Sequence, residues 1–180
     1  MNTIECIKTR RSIRKFANRA VDADVIADIV NVAAFAPSWK NSQTTRYIAV
    51  LDNELKERLA NECMMGFEYN IGTAHGAPAM MVITTVNNRS GYERDGSATT
   101  SKGTHWQSFD AGIATQTFCL AACEAGLATV IMGIFDEKKV CEIIGVPEGQ
   151  SVSALVAIGY AAEEPQAPKR KSADDLLTVK

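Results

Sequence analysis

The chain has 180 residues, 46% of them hydrophobic, and its 19 basic and 21 acidic residues leave a formal net charge of −2. This length suits one domain with a sizeable core, so we expect a single domain over residues 1–180. The balanced charge argues against a nucleic-acid-binding protein, which usually has a basic domain or stripe. No apolar run resembles a secretion signal or is long enough to cross a bilayer, which makes the cytoplasm the expected compartment.

The five cysteines and two histidines form no standard redox or zinc motif. No two cysteines make a close C-x-x-C pair, and Cys119 and Cys123 lie four residues apart in an apolar helical pattern. His75 and His105 are isolated from each other and from the cysteines. This pattern favours buried, reduced thiols over a metal or redox site.

Helical and strand patterns alternate in the first half of the chain. Asp22 is typical of a helix N-cap, and apolar residues at helical spacing continue to Ala36, where Pro37 ends the helix. The other predicted elements of this half are a helical turn or two at 4–8, a strand at 47–51, a helix from Asp52 or Asn53 to about Met64, a turn-rich segment around Gly72 and Gly76, and a strand at 79–86 that is buried on both faces.

The second half begins with a long polar loop and continues the alternation. The loop covers residues 87–103, and loops of this length are usually functional or disordered. The predicted elements that follow are a central buried helix at 104–125, rich in small residues that suit a subunit contact, a strand at 127–132 running into Gly133, a helix capped by Asp136 and ending at Ile144, a strand at 151–160, and a tail from Ala161. This order indicates an α/β or α+β protein built around one sheet.

Arg10, Arg11, Ser12 and Arg14 put three guanidiniums and a hydroxyl within five residues near the amino terminus. The planar N–H donors of arginine match the oxygens of a phosphate or carboxylate, and backbone amides of a turn could complete an anion nest. The alternative is a solvated basic face on an N-terminal helix. This stretch alone does not decide between the two.

Three further clusters stand at the ends of predicted elements, although the usual dinucleotide, P-loop and serine-hydrolase motifs are absent. They are Pro37 to Gln43 after the second helix, Met132-Gly133 at the end of a strand, and Lys169-Arg170 in the tail. The carboxyl end of a strand is a common ligand site in α/β sheets. Each cluster also has a plain structural explanation, as a helix end, a turn glycine and solvated tail charges, respectively.

In combination these clusters resemble the nitroreductase family of FMN-dependent oxidoreductases. The family opens with R-R-S-x-R-x-F, present here at 10–16, and follows a helix with A-P-S-x-x-N-x-Q, present at 36–43. The later motifs are D-x-G-x-A at 110–114, E-A-G-L at 124–127, the glycine at 133, and a G-Y ending at 159–160 followed by prolines and basic residues through 170. The motifs occur in the family's order and cover essentially the whole chain.

The resemblance implies an α+β fold of the three-layer α/β/α type. A mixed, mainly antiparallel central sheet would be flanked by helices, and an intertwined homodimer would hold two FMN sites at the subunit interface. The implied activity is a ping-pong reaction, in which NADH or NADPH gives hydride to FMN and a nitroaromatic, quinone or similar small acceptor then takes the electrons. Met132 stands where several members have an acidic residue, which leaves the choice between NADH and NADPH open.

The resemblance also assigns roles by position. Arg10, Ser12 and Arg14 would hold the phosphate and ribityl chain, Arg11 would pair nearby, and Lys169 or Arg170 would close on the phosphate. Pro37, Ser38, Asn41 and Gln43 would come from the partner subunit, and Ile131, Met132 and Gly133 would line the isoalloxazine ring. No side chain is predicted as a catalytic acid or base. Two alternatives remain: a flavin-binding relative with a flavin-consuming or dehalogenase role, and a non-catalytic binder of an anionic ligand.

Overall fold

The structure is a computed structural model that describes residues 2–180, and its centre is one four-stranded sheet. The strands are β1 (Thr45–Val50), β2 (Ala79–Val86), β3 (Ala128–Met132) and β4 (Gln150–Gly159). Their order is β1-β2-β4-β3, and every neighbouring pair is antiparallel. A parallel pairing occurs at the isolated Ser12–Thr129 bridge beside β3. The expected mainly antiparallel sheet is therefore confirmed.

Helices cover both faces of this sheet. They are α1 (Thr3–Thr9), α2 (Ala23–Ala33), α3 (Asn53–Arg58), α4 (Glu68–Gly76), α5 (His105–Glu124), α6 (Glu137–Ile144) and α7 (Ala173–Leu176), with a 3₁₀ turn at Trp39–Asn41 and a π-helical segment at Leu59–Cys63. The carboxylates of Asp22, Asp52 and Asp136 each accept a backbone N–H in the first turn of the helix that follows. The three predicted N-caps are confirmed, because capping depends on neighbouring residues alone.

One predicted helix end and one predicted turn region were wrong. Helix α2 ends at Ala33 and not at Ala36, because tight turns of the i→i+3 type close the chain there, before the residue that precedes Pro37. The segment around Gly72 and Gly76 is helix α4 and not a turn region. Each glycine costs about 1 kcal/mol in a helix, and burial of Thr73 and Ala74 in the protein interior outweighs that cost. The short helix α7 was not predicted.

Strand β2 explains why the fold has three layers. Its Met80 and Val82 side chains pack into one core cluster, with Leu59 and Met64 of the α3–α4 region. Its Ala79, Met81 and Ile83 side chains pack into the other, with Ile26 of α2 and Phe118 of α5. Because successive side chains of a strand point to opposite faces, the strand predicted to be buried on both faces is covered by a helical layer on each side, which confirms the three-layer arrangement.

The helical spacing of Trp106, Phe109, Ile113, Thr117 and Leu120 predicts an apolar stripe on α5, but the helix is buried on a different face. The side chains on its buried face are Gln107, Asp110, Ala111, Ala114, Thr115, Phe118, Cys119 and Ala122. Phe109 on the predicted apolar stripe is 59% exposed, and Ile113 is only half-buried. The helix is thus central, and one of its faces is buried because small residues there allow close packing on the sheet and α2. Its other face is exposed.

All five cysteines are free thiols. Cys6, Cys63 and Cys119 are buried, as predicted, whereas Cys123 and Cys141 are only partly buried. Within residues 2–180, no helix combines the length and the apolar composition that a membrane span needs.

Candidate functional site

The basic stretch at 10–16 runs along the sheet edge and is joined to the chain that follows β4. The Ile13 N–H donates to the Thr129 carbonyl oxygen at 3.1 Å, which aligns the stretch with β3. The Ala17 N–H donates to the Tyr160 carbonyl oxygen at 2.8 Å, just beyond the end of β4. The stretch is therefore not a face of helix α1, as the alternative interpretation required, but an extended segment held against the sheet.

Ser12 and Arg14 line an open cavity of about 480 Å³ together with helix α4. The α4 side of this cavity is formed by Glu68, Tyr69, Gly72 and Thr73. None of these residues was predicted for the site, because the glycines of this segment were interpreted as turn residues. The acidic Glu68 in the first turn and His75 in the last turn are helix signals that could have identified α4.

Arg10 and Arg11 line a neighbouring cavity of about 200 Å³ and not the one at α4. The Arg11 guanidinium donates to the carbonyl oxygens of Lys8 and Arg10, at 2.6 and 3.0 Å. Glu163 and Pro165 line both cavities. The four residues of the basic cluster thus divide between two adjacent cavities that share one wall.

Several backbone amides of this stretch are already hydrogen-bonded. The N–H groups of Arg14 and Lys15 both donate to Oε1 of Glu163, at 2.7 and 3.1 Å. The expectation that turn amides complete an anion nest is therefore wrong for these two groups. An anion at this position would be recognised by side chains.

The loop between α2 and β1 is fixed to α5 by a buried carboxylate. Asp110, which is 3% exposed, accepts the Trp39 N–H at 2.9 Å and the Ser90 hydroxyl at 2.7 Å, both on Oδ2. The Gln43 N–H donates to the Ser38 hydroxyl oxygen at 2.9 Å, closing the loop on itself. Asp110 belongs to the D-x-G-x-A motif, but its loop partners are not visible in the sequence.

This loop has a strained backbone. Lys40, Asn41 and Gln43 have φ values of 46°, 53° and 47°, a region that costs about 1–3 kcal/mol for residues other than glycine. Among residues 2–180, the buried side-chain atoms without a hydrogen-bond partner include Trp39 Nε1 and Ser42 Oγ of the same loop. Strain and unsatisfied polar atoms that persist together are typical of functional segments.

Pro37, Ser38 and Gln43 line a third cavity, of about 350 Å³, whose wall includes Asp110. Asn41 is exposed and does not line it. Within this chain the loop and the Ser12–Arg14 cavity are separate sites.

The end of β3 presents one side chain to solvent and buries the next. Ile131 is 46% exposed and lines a cavity of about 690 Å³ between α5 and the sheet. Met132 is buried in the core cluster with α3 and α4, so its side chain does not reach the surface. Beyond Gly133, the Ile134 carbonyl oxygen accepts the Asn70 side-chain amide of α4 at 3.2 Å. Helix α4 therefore lies beside both the basic stretch and the segment that follows β3.

Lys169 and Arg170 lie in the exposed tail. The Arg170 guanidinium is 3.5 Å from the Pro168 carbonyl oxygen. Across residues 2–180, no hydrogen bond or ion pair connects either cation to the basic stretch, so the chain by itself does not bring the two predicted phosphate contacts together.

The polar loop at 87–103 is ordered against the strained loop. Lys40 Nζ pairs with Glu93 Oε1 at 3.1 Å, and the Trp39 and Trp106 ring centroids are 4.8 Å apart. Hydrogen bonds from Thr99 and from Lys40 lower the pKa of Glu93 below its usual range. Gly91 has a φ of +84°, and a Cβ there would lie 2.8 Å from the Gly103 carbonyl oxygen, so this turn requires glycine.

Comparison with known proteins identifies the same family that the sequence motifs resemble. The sequence model of the nitroreductase family matches residues 7–160. A protein of Archaeoglobus fulgidus named as an NADH dehydrogenase/NAD(P)H nitroreductase is 29% identical over 167 residues, which cover 89% of this chain and 87% of that protein. An iodotyrosine deiodinase of Haliscomenobacter hydrossis is 26% identical over 186 residues, covering 92% of this chain and 82% of the deiodinase.

Solved structures of similar proteins superpose on this chain over almost its whole length. The NADPH:FMN oxidoreductase of Vibrio harveyi, solved with NAD⁺, superposes with a TM-score of 0.82 at 25% identity, over 99% of this chain and 77% of that one. A nitroreductase-type protein of Exiguobacterium sibiricum, solved in complex with FMN, gives a TM-score of 0.86 at 20% identity, over 100% and 98% of the two chains.

The three-layer arrangement, with a basic segment beside an antiparallel sheet, is thus the nitroreductase fold. Because the family model covers most of its length, this chain belongs to the nitroreductase family.

Proposed function

We propose that this protein is an FMN-dependent oxidoreductase that transfers hydride from NADH or NADPH, through bound FMN, to a small acceptor such as a nitroaromatic or quinone. The observation that carries the proposal is the cavity in which Ser12 and Arg14 face helix α4, in a chain of this family. FMN supplies the redox-active ring, a chemistry that no amino-acid side chain offers.

The side-chain donors in and beside the Ser12–Arg14 cavity fit a phosphate. Charge-assisted hydrogen bonds from guanidinium groups are the strongest contacts available to a phosphate, and Arg14 and Ser12 line the cavity while Arg10 and Arg11 lie next to it. Because the amides of Arg14 and Lys15 are already hydrogen-bonded, these side chains would carry the recognition.

The end of β3 and the residues that follow it fit a flat ring. Ile131 and Ile134 are both 46% exposed, which offers apolar contact on either side of Gly133. Apart from Gly133 and its two chain neighbours, no residue has an atom within 4 Å of the position that a Cβ on Gly133 would occupy, so a planar ligand can approach the backbone there. Apolar walls combined with a few backbone polar groups are what flat cofactors require.

We propose that the site is completed by a second copy of the chain. Lys169 and Arg170 are not joined to the basic stretch of their own protomer by any contact among the described residues, and Pro37, Ser38, Asn41 and Gln43 lie on a separate part of the molecule. Phe35 is 89% exposed and Phe109 is 59% exposed, which is unusual for phenylalanine on a monomer. A homodimer would bury these rings and bring the partner's loop to the flavin.

The test is to purify the protein and identify the flavin that it releases. We expect one FMN per protomer, identified by mass, and loss of the flavin absorbance when NADH or NADPH is added without oxygen. Arg14→Ala should reduce FMN content while leaving the fold intact. A colourless protein that takes up no added FMN would contradict the proposal.

A dehalogenase-type role is the second candidate, and the iodotyrosine deiodinase relative is the observation that favours it. The same experiment separates the two. Rapid bleaching by a nicotinamide cofactor supports the oxidoreductase, whereas FMN that is bound but not reduced by either nicotinamide supports the second role.

A further inference from the structure

One carboxylate fixes the backbone of the basic stretch from the far end of the sequence. Oε1 of Glu163 accepts the N–H of Arg14 at 2.7 Å and the N–H of Lys15 at 3.1 Å, across 149 and 148 residues of chain. Next to it, the Ala162 N–H donates to the Lys15 carbonyl oxygen at 2.9 Å. The segment after β4 therefore holds both polar groups of the Lys15 backbone and the amide of Arg14.

The position of Glu163 is unexpected on electrostatic grounds. It lines both the cavity of Ser12 and Arg14 and the cavity of Arg10 and Arg11, where the proposed ligand carries a phosphate. A negative side chain beside a phosphate costs repulsion, so a structural benefit must offset it. The two hydrogen bonds from the backbone provide that benefit.

We infer that Glu163 is a positioning residue for the flavin phosphate, an inference that rests on the proposed function. The basic stretch has no regular helix or strand of its own, so single hydrogen bonds to distant segments hold its backbone in place of a continuous ladder. By accepting two consecutive N–H groups, Glu163 fixes the backbone on which the Arg14 guanidinium and the Ser12 hydroxyl are mounted. Preorganisation of this kind raises affinity because less ordering remains to be done on binding.

The alternative is that Glu163 competes with the phosphate for the two amides. The two roles predict opposite effects when the carboxylate is removed. A positioning residue that is lost weakens FMN binding, whereas a competing anion that is lost strengthens it.

The experiment measures dissociation constants for FMN and for riboflavin, which is FMN without the phosphate, by flavin fluorescence quenching. Glu163→Ala should weaken FMN binding about tenfold or more, the scale of a lost hydrogen bond to a charged group, and leave riboflavin binding within about twofold. Glu163→Gln keeps an acceptor oxygen and should restore most of the FMN affinity. A general loss of structure would weaken both ligands equally.

The control is Glu164→Ala, which removes the same charge from the adjacent exposed position in the Arg10 cavity and should not weaken FMN binding. Equal or tighter FMN binding by Glu163→Ala, or an equal loss for riboflavin, would overturn the inference.

Amide hydrogen exchange on the flavin-free protein separates this inference from the proposed function. Glu163→Ala should accelerate exchange at Arg14 and Lys15, with little change in Glu164→Ala. If the wild type binds no FMN, the proposed function fails and the phosphate role of Glu163 fails with it, even if exchange still shows the anchor. If the wild type binds FMN but exchange at these amides is unchanged, only the inference about Glu163 fails.

Discussion

Asp110 is the residue at which two loops of this protein meet. Its carboxylate is buried on α5 and accepts one hydrogen bond from the loop before β1 and one from the loop after β2. A buried carboxylate is costly unless it is well hydrogen-bonded, so the two donors and the acceptor stabilise one another. The same contact fixes the strained residues that we propose to reach the partner's flavin.

Replacing Asp110 with alanine should leave the Trp39 N–H and the Ser90 hydroxyl without their acceptor. We expect a loss of about 1–3 kcal/mol in the free energy of unfolding, measured by urea denaturation, and faster proteolysis within residues 38–43. Glu142→Ala removes an exposed carboxylate from α6, away from both loops, and is the control that should have little effect. Wild-type stability in Asp110→Ala would show that these hydrogen bonds contribute nothing measurable.

At the scale of elements, the π-helical segment Leu59–Cys63 joins α3 to the rest of its layer. Cys63 is fully buried there, and its carbonyl oxygen accepts the Asp136 N–H at 2.7 Å, at the start of α6. Burial raises the pKa of the Cys63 thiol from 9.0 to about 11. The folded protein therefore favours the neutral thiol, and this contribution to stability is complete below about pH 9.

The contribution should disappear as the pH rises through about 11, because the unfolded thiol ionises first. Wild-type protein should lose more unfolding free energy between pH 8 and pH 11 than Cys63→Ala loses, by at most about 2–3 kcal/mol. Burial also raises the pKa values of Cys6 and Tyr47 and lowers the pKa of Lys56. Because wild type and variant share these groups, the difference between their pH profiles reports the ionisation of Cys63 alone. Parallel pH profiles for wild type and variant would show that thiol ionisation is not involved.

At the scale of the whole molecule, the exposed apolar face of α5 indicates where a second copy would bind. Phe109 and Ile113 lie beside Gly112, on the helix face that the sheet does not cover. Small residues between larger apolar ones allow two helices to pack closely, so this face is suited to a symmetric contact.

Phe109→Glu should therefore shift the protein towards the monomer in sedimentation velocity and lower its FMN content, while circular dichroism remains unchanged. A buried negative charge opposite its own copy is unfavourable in a symmetric interface. Asn61→Glu introduces the same charge at an exposed position of the opposite layer and should leave the assembly intact. A dimer that survives Phe109→Glu would place the interface elsewhere.

Local features of the chain were predictable. The N-caps at Asp22, Asp52 and Asp136 depend on residues a few positions away, and the continuous apolarity of 79–86 is enough to indicate a strand covered on both faces. The order of short motifs was enough to indicate the family. Each of these signals is contained in a short window, so no knowledge of packing is needed.

The sequence by itself therefore determined the layers of the fold, most element positions and the family. Only the tertiary structure decided that α4 is a helix facing Ser12 and Arg14, and that Phe109 of α5 is exposed. It also decided that Asp110 and Glu163 hold segments 71 and 149 residues away. The physical reason is that burial and hydrogen bonding between distant segments depend on which surfaces meet after folding. Propensity and spacing describe a residue's neighbours in the chain and leave its partners in space undetermined.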